Sequence, residues 1–576
     1  MTNSVYGIAL SGLNAARSGL STTSNNIANS NTVGYNRQLV IQQARPSFGS
    51  DIGYIGQGVD IASVQRVYSD FLNSQEQKAT SDSAFFKAKS EQISRVDALI
   101  ADDSSGISGA LSNFFAAAQT LTTNPADLPS RQNFLSAADS LAGRFNGLNS
   151  VLDELRNATN LRVKDTVAQV NDATAQIAQL NDRIVAAGSQ TFNGGQPNDL
   201  MDQRDKLIMD LSQQVQVTRV NMADGSVNLF LGNGQPLVVK TTQFPVSTQV
   251  DPSDPKNLLV GTTQTVNGQQ TLIPLKADTL GMGALAGYLS FRDNELNQYQ
   301  NTVGLLAARV GEAINNIQTA GVDLDGNAGN PLFKFGSGSM LSGISRVVPN
   351  VNNSTTNVTN ITFKSVDLSK ISGADYEVTI IGGQPQYREL GSTGAFQAAS
   401  LVPDPAGDYY EIRDPAGAPL VQFQLDNATP QEGDTFTLMP VRDAALNMSS
   451  AITRPNEVAA SSATNPSVGN NDNIRSIAAL QTSRTLYKSN NAAGVSVSDA
   501  FNQLVSRVGN KARELQVSSD ARDTVLKQVT ESRDGLSGVN MDEEAANLIK
   551  YQQEYQASGK VISLAKELFQ QILEMF

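Results

Sequence analysis

The sequence predicts a multidomain α+β chain: a terminal α-helical coiled-coil layer, a long-helix bundle carrying a β-hairpin region, and an inserted all-β outer domain. Three observations predict it. Apolar residues recur at three- and four-residue steps at both extreme ends of the chain. Helical spacing persists from residue 69 to about 185 with few Gly or Pro and returns over 199–211. After Val215, and again from Val347 to Met439, the period drops to two, with Gly, Pro and Asp turns between short runs. A chain of 576 residues is also too long for one core.

At the N-terminus, Tyr6, Ala9, Leu13, Ala16, Leu20, Thr23 and Ile27 form a narrow stripe. The helix is expected to stop near Ala28, because Asn29, Ser30, Asn31, Thr32 and Gly34 are turn formers. Long helices follow, interrupted at 104–109 and 124–129. Leu152, Leu155, Leu161, Val163, Val167, Val170, Ile177, Leu180 and Ile184 mark one of them. A loop over 188–199 leads to a helix over 199–211. Val215, Val217 and Val220, then Asp224-Gly225, then Val227, Leu229 and Leu231 read as a hairpin. Helix returns over 289–319, strands occupy 347–439, and helices resume at Asn473, broken near 535–540. The expected segments are 1–68 (N-terminal helix and Asn-rich loop), 69–211, 281–346 and 451–535 (three parts of one helical domain), 212–280 (hairpin region), 347–450 (inserted β domain) and 536–576 (C-terminal helix).

The last segment mirrors the first. Leu548, Tyr551, Tyr555, Ser558, Ile562, Ala565, Phe569, Ile572 and Phe576 alternate three- and four-residue steps. Chain ends are normally frayed and polar, and a helix with one narrow apolar stripe cannot bury it alone. Packing one end on the other is the simplest solution. Charge agrees: residues 1–45 carry Arg17, Arg37 and Arg45 and no acid, while 541–576 carry six acids against three lysines. A two-helix unit still leaves apolar surface. Copies related by a screw rotation would cover it and build a polymer. Both ends are then expected to order on assembly. An ordinary core helix explains either stripe alone; matched stripes with opposed charge favour assembly.

The chain has no Cys, no His and no Trp. A Ser-His-Asp triad, thiol catalysis and a disulfide are therefore impossible, and a zinc site has lost its usual ligands. A net charge of −13 opposes binding to nucleic acid or anionic lipid, both of which need a basic face. No run of eighteen apolar residues spans a membrane, and Met1–Leu20 lacks the basic and apolar regions of a cleaved signal peptide. Catalytic, cofactor and metal sites are all expected to be absent. Asp323-Leu324-Asp325-Gly326-Asn327 hints at a calcium loop, but its sixth position is Ala328 and its twelfth Lys334, so a turn is expected. Gly232-Asn233-Gly234 is a hairpin turn without the Lys of a phosphate loop. Asp102-Asp103 and Glu543-Glu544 read as solvated charge.

Several blocks carry a resemblance. Leu10-Ser11-Gly12-Leu13-Asn14-Ala15-Ala16, then Asn25-Asn26-Ile27-Ala28-Asn29-Ser30-Asn31-Thr32-Val33-Gly34-Tyr35, resembles the N-terminal motif of flagellar rod, hook and hook-associated proteins. Gly34-Tyr35-Asn36-Arg37-Gln38 is similar to the hook-associated protein 1 branch, the first hook–filament junction proteins; rod and hook subunits more often have Gly-Phe-Lys there. Ser537–Leu548, Tyr551–Ser558, Pro197–Asp205, Asp323–Asn327 and Pro331-Leu332-Phe333 resemble the same branch, whereas 347–440 matches nothing. The resemblance implies export through the flagellar type III apparatus without signal cleavage. It further implies assembly as a ring of copies on the distal hook subunits, with a second junction protein and then the filament above. It also implies an export chaperone bound to the C-terminal helix, for which Leu548, Ile562, Leu568 and Phe569 offer an apolar stripe. The expected assembly surface comprises Leu13, Ala16, Leu20, Ile27, Asn25, Asn26, Asn29, Asn31, Gly34, Tyr35 and Arg37 with Leu548, Tyr551, Tyr555, Ile562, Phe569 and Ile572. A hook or distal-rod subunit is the nearest alternative and would end differently. An exported wall-degrading enzyme would need a carboxylate pair across a cleft, and an adhesin would use the β insert.

Overall fold

A computed structural model describes residues 2–50, 53–100, 106–190, 195–266, 269–336, 347–354, 361–392, 394–405, 407–425, 431–486 and 494–574 of the chain. The helices, in chain order, are α1 (Thr2–Ala28), α2 (Asp70–Ile100), α3 (Ile107–Thr123), α4 (Leu128–Gln190), α5 (Asn198–Gln214), α6 (Ala277–Leu280), α7 (Ala284–Ser290), α8 (Asn297–Ala320), α9 (Asp472–Ala479), α10 (Val497–Ser537) and α11 (Met541–Glu574). A π-helical stretch, Phe291–Leu296, joins α7 to α8. Among the described residues no helix is long and apolar enough to cross a membrane.

The two chain ends meet. α1 and α11 pack antiparallel, with Gly12 facing Ser558 and Gly19 facing Tyr551. Small residues at Ala9, Gly12, Ala16 and Gly19 form the face that lets the backbones approach. Beside α1 lies a two-stranded antiparallel ribbon of Gln38–Ala44 and Val59–Arg66, with a hairpin of Phe48–Ser50 and Gly53–Ile55 beyond it. Ser11 Oγ fastens the ribbon to α1 by accepting from Val59 N at 3.1 Å. Strands thus follow the Asn-rich loop within 1–68, a segment where the sequence pointed only to a helix and that loop. Only Gln38, Val40 and neighbours are buried on one side, so the alternation is too short to read as strand.

The body is helical. α2 and α10 run antiparallel, tied by Ser90 Oγ to Gln516 Oε1 at 3.0 Å and Thr530 Oγ1 to Glu76 Oε1 at 3.0 Å. One apolar cluster centres on Phe114, Phe115, Phe134 and Phe145 with Leu305, Leu306 and Val310 of α8. Phe114 lies 5.1 Å from Phe134 and edge-on to Phe115 at 5.3 Å. A second cluster fills the space between the C-terminal half of α4, α5, α7 and the strands of 217–274. Those strands form a four-stranded sheet from 217 to 243 and a three-stranded sheet from 246 to 274. Met222 N donates to Ser226 O across the Asp224-Gly225 turn, as the dipeptide predicts. Leu161 is exposed although it shares the helical run of its neighbours. The Asp323 segment is a turn, with Asp323 Oδ1 accepting from Asp325 N and Asn327 N at 2.9 and 2.8 Å.

Strands of 347–438 build two antiparallel sheets, of five and four strands. Tyr376, Val378, Phe436 and Leu438 of one and Ile412, Val421 and Phe423 of the other are buried in one cluster. That cluster is continuous with the helical core, and charge fastens the block at its base. Arg442 pairs with Asp375 and, at 3.0 Å, with Asp254, while Asn301 of α8 donates to Asp375 at 3.0 Å. Arg309 of α8 donates to Ile371 O at 2.8 Å.

Glu312 of α8 is held above the usual carboxylate range by burial and then by Asp367, against Arg309. An acid that binds its proton more tightly in the folded chain weakens the fold at pH above its folded pKa and ceases to do so as pH falls through it. A Glu312→Gln chain is therefore expected to melt slightly higher than the natural chain at pH 7, with the gap closing toward pH 4. Thermal melts across that range check it, and a gap that widens on acidification contradicts it.

Candidate assembly surface

The geometry of the terminal layer separates the expected residues into three groups. The first lies between the helices. Leu13, Leu20 and Ile27 of α1 and Leu548, Tyr551 and Ile562 of α11 are half-buried in the pair. Burial raises the Tyr551 phenol above its ordinary pKa, followed by Glu554 and Glu544. Ala16 is wholly covered inside the subunit. Its covered position shapes the pair from within the subunit.

The second group builds the corner after α1. Asn26 is 1% exposed; its Oδ1 accepts from Tyr35 Oη at 2.7 Å and Gln38 N at 3.0 Å, and its Nδ2 donates to Gln38 O at 2.9 Å. Asn26 is thus a lock within the subunit. Tyr35 is pushed well above the usual phenol range by burial and then by Asp202, Asp199 and Glu544. Asn29 Nδ2 donates to Asn25 Oδ1 at 3.0 Å, and Thr32 Oγ1 donates to Asn29 Oδ1 at 3.2 Å. Gly34 has φ +88°, a conformation that favours glycine. Arg37 N donates to Ser537 O at 2.9 Å, and its guanidinium pairs with Glu543, so the opposed charges of the two ends do meet. Asn25 and Asn31 are exposed, and Val33 between the corner residues is 79% exposed.

The third group faces outward. Tyr555, Leu568 and Phe569 are 41%, 47% and 48% exposed. Val5, Tyr6, Ile8 and Leu10 on α1 and Ile549, Val561 and Leu564 on α11 are exposed with them. An apolar surface of this kind is what interfaces use and isolated chains avoid. The side chain of Ile572, and Phe576 altogether, lie outside the described residues.

Sequence comparison supplies the family. Flagellar hook-associated protein 1 of Salmonella typhimurium is 35% identical over 583 residues, spanning 100% of both chains. The chain belongs to the flagellar hook-associated protein 1 family. The hook-associated protein 1 of Escherichia coli (strain K12) is 32% identical over 584 residues, again across 100% of both, and that of Bacillus subtilis is 23% identical over 100% of this chain. The family described as Flagellar hook-associated protein FlgK helical domain matches residues 93–333. Flagella basal body rod protein matches 8–36, and Flagellar basal body rod FlgEFG protein C-terminal matches 536–575. The flagellar hook junction protein FlgK from Burkholderia pseudomallei shares the fold, with TM-score 0.68 at 23% identity over 81% of this chain and 100% of that one.

In this hook-associated protein 1 family member the block Pro197–Asp205, legible only as a resemblance, has a physical task. It opens α5 and presses on the ribbon of the terminal layer. Asp202 accepts from Asn36 N and Nδ2 at 3.2 and 2.7 Å, Asp199 from Gln38 Nε2 at 3.1 Å, and Asn198 donates to Val64 O at 2.9 Å. Arg66 lies between Asp202 and Asp205 at 2.7 and 2.9 Å, and Arg219 reaches Asp205 at 2.8 Å and Tyr68 Oη at 2.7 Å. Burial raises the Tyr68 phenol to about 12, with Asp205 adding to it. None of these contacts could be paired from the sequence, where Arg66 and Asp202 stand 136 residues apart. The dense alternation of acids and Arg in Asp199–Asp205 was the only available signal.

Proposed function

We propose that this chain is a structural, non-catalytic subunit that joins the distal hook to the filament as a ring of its own copies. The observation that carries the reading is the two-helix terminal layer with an uncovered apolar face, in a chain of the hook-associated protein 1 family. Neighbouring copies and the hook subunit would cover Leu10, Tyr555, Leu568 and Phe569, and a second junction protein would sit on the opposite side. Asn25, Asn31 and Val33 project from the corner and suit contacts along the ring. In this reading the inner layer comprises 1–68 and 536–576. The helical segments 69–211, 281–346 and 451–535 with the hairpin region 212–280 form a second layer, and 347–450 projects outward. The subunit leaves the cell through the flagellar export apparatus without cleavage of a signal. Before export a chaperone takes Leu548, Ile562, Leu568 and Phe569, of which the first two become half-buried after folding and the last two stay exposed. No cofactor, nucleic acid or membrane takes part.

Deleting the gene tests this reading. Complete hooks without filaments, with filament subunit lost to the medium, are expected by electron microscopy and immunoblotting. Normal filaments, or truncated hooks, overturn it. The isolated subunit is also expected to lose residues near both ends first under brief proteolysis, because half of its interface is uncovered. Full protection of both ends in dilute solution would contradict the dependence of the layer on assembly.

A further inference from the structure

Beyond residue 515 the helix α10 leaves the core. Its inner apolar stripe joins the helical cluster as far as Leu515, and neither cluster contains a later α10 residue among those described. From 516 to 537 the helix rests on α2 through polar contacts. Ser90 Oγ donates to Gln516 Oε1 at 3.0 Å, Thr530 Oγ1 donates to Glu76 Oε1 at 3.0 Å, and Ser83 Oγ donates to Asp523. The Arg522 guanidinium lies 5.6 Å from the centre of the Phe86 ring. The opposite side of this stretch is open. Val517, Ala521, Val525, Gln528, Ser532 and Leu536 are all exposed, and at about 3.6 residues per turn they share about a third of the circumference. No charged residue lies in that sector between 517 and 536. Val517 is 62% exposed, Val525 44% and Leu536 45%. The outward side of a solvated helix normally carries charge. Here the charges stand beside the strip, and from Lys511 to Asp534 five acids balance five bases.

We propose that this side of α10 docks on the hairpin region of a second copy of the chain, a reading that rests on the ring of copies proposed above. Three features of the chain choose the occupant. The strip continues past Leu536 into Met541 and Ile549, 50% and 55% exposed, on the outward side of α11. A contact between copies there runs on without interruption along α10. Charge is the second feature. A chain of net charge −13 repels its own copies, and a stretch with an uncharged centre and balanced flanks is where two of them approach most easily. The third is the order of layers. A head-to-tail contact joins two different faces on opposite sides of one subunit. α10 rests on α2, α2 rests on α5 and α7, and α4 with the strands of 217–274 lies beyond them. On that far side Val220 and Phe244 are 44% and 39% exposed. An apolar strip on one side and exposed apolar residues on the other are what a repeated contact between identical subunits buries. Both α10 and α2 belong to the body, so this face does not wait for the chain ends to order.

Photo-crosslinking of the full-length chain in flagellated cells tests the contact. With p-benzoyl-phenylalanine in place of Val525, irradiation is expected to give an adduct of twice the subunit mass on immunoblots. Mass spectrometry of that adduct is expected to find the neighbour's residues within 217–250. The same group in place of Phe569, on the terminal layer, reports separately on the ring. A copy adduct from Phe569 without one from Val525 overturns the α10 contact and leaves the ring standing. No copy adduct from either position overturns the ring reading and the contact with it. An adduct from Val525 to a protein of another mass, or to a different part of the copy, overturns the hairpin region as occupant. Val517→Glu with Val525→Glu places unpaired charge in the contact and is expected to lower the number of filaments per cell about tenfold. The melt of the isolated variant is expected to match that of the natural chain, because both positions are exposed there. A natural number of filaments with both glutamates present overturns the proposal.

Discussion

An Arg442→Met chain is expected to lose roughly 3–5 kcal/mol of stability, the cost of breaking a buried ion pair from one side. The Arg442 side chain is 3% exposed and lies between Asp254 and Asp375, themselves 8% and 4% exposed. Removing the guanidinium leaves two carboxylates sharing a dry space with no counter-charge. The position also joins three parts of the chain. Asp254 begins a strand of the three-stranded sheet, Asp375 precedes the first residue of a strand in the five-stranded sheet, and Asn301 on α8 bonds to Asp375. Urea unfolding at pH 7 checks the loss. One further outcome separates charge from packing. Adding Asp254→Asn and Asp375→Asn should recover part of the loss, as coupled sites do. A deficit that ignores these changes would assign the effect to lost packing.

Replacing Gly19 with Leu is expected to abolish filament formation while leaving the body folded. A Cβ at this position would lie 2.6 Å from two Tyr551 ring atoms, well inside contact distance. Gly12 leaves a similar but looser gap, 3.1 Å from Ser558 Oγ. A Leu at 19 must displace Tyr551 or part the helices, at an overpacking cost of roughly 1–3 kcal/mol. The terminal layer has little reserve to absorb it, since so much of its apolar surface is uncovered until copies meet. Swimming assays and electron microscopy of cells carrying Gly19→Leu read the result. Ser21→Leu, on the exposed side of the same helix, serves as the control and should assemble. Filaments of normal length with Gly19→Leu would show that the close α1–α11 contact is dispensable.

Much of the architecture could be read without coordinates. The breaks after Ala28, over 124–127 and between Ser537 and Met541 fall where Asn, Gly and Pro interrupt the helical period, because those residues are poor helix formers. Matched stripes at the two ends, with arginines at one and acids at the other, pointed to the packing of α1 on α11, whereas Glu543-Glu544, read as solvated charge, supplies a partner for Arg37 and a buried Glu544. Other features were hidden. The ribbon of 38–66 is buried on one side over too few residues for its alternation to show. The π-helical Phe291–Leu296 has no period of its own, yet it places Arg292 and Glu295 inward, where Glu295 pairs with Lys89 at 2.7 Å. Asn26, expected on the assembly surface, bonds inside the subunit, because a short amide side chain can satisfy buried backbone.

The sequence by itself determined the long helical runs and the strand regions after Val215 and Val347, that the two ends carry complementary apolar stripes, and which chemistry a chain without His or Cys must forgo. Those are local matters, set by period, composition and turn residues. Only the tertiary structure decided which charges meet. Arg66 with Asp202, Arg442 with Asp254 and Asp375, and Lys89 with Glu295 are each separated by more than a hundred residues or joined across different elements. An ion pair leaves no periodic trace along a chain, so its partner is fixed only when packing brings the elements together. The same packing decided that polar groups of the terminal layer meet those of α5.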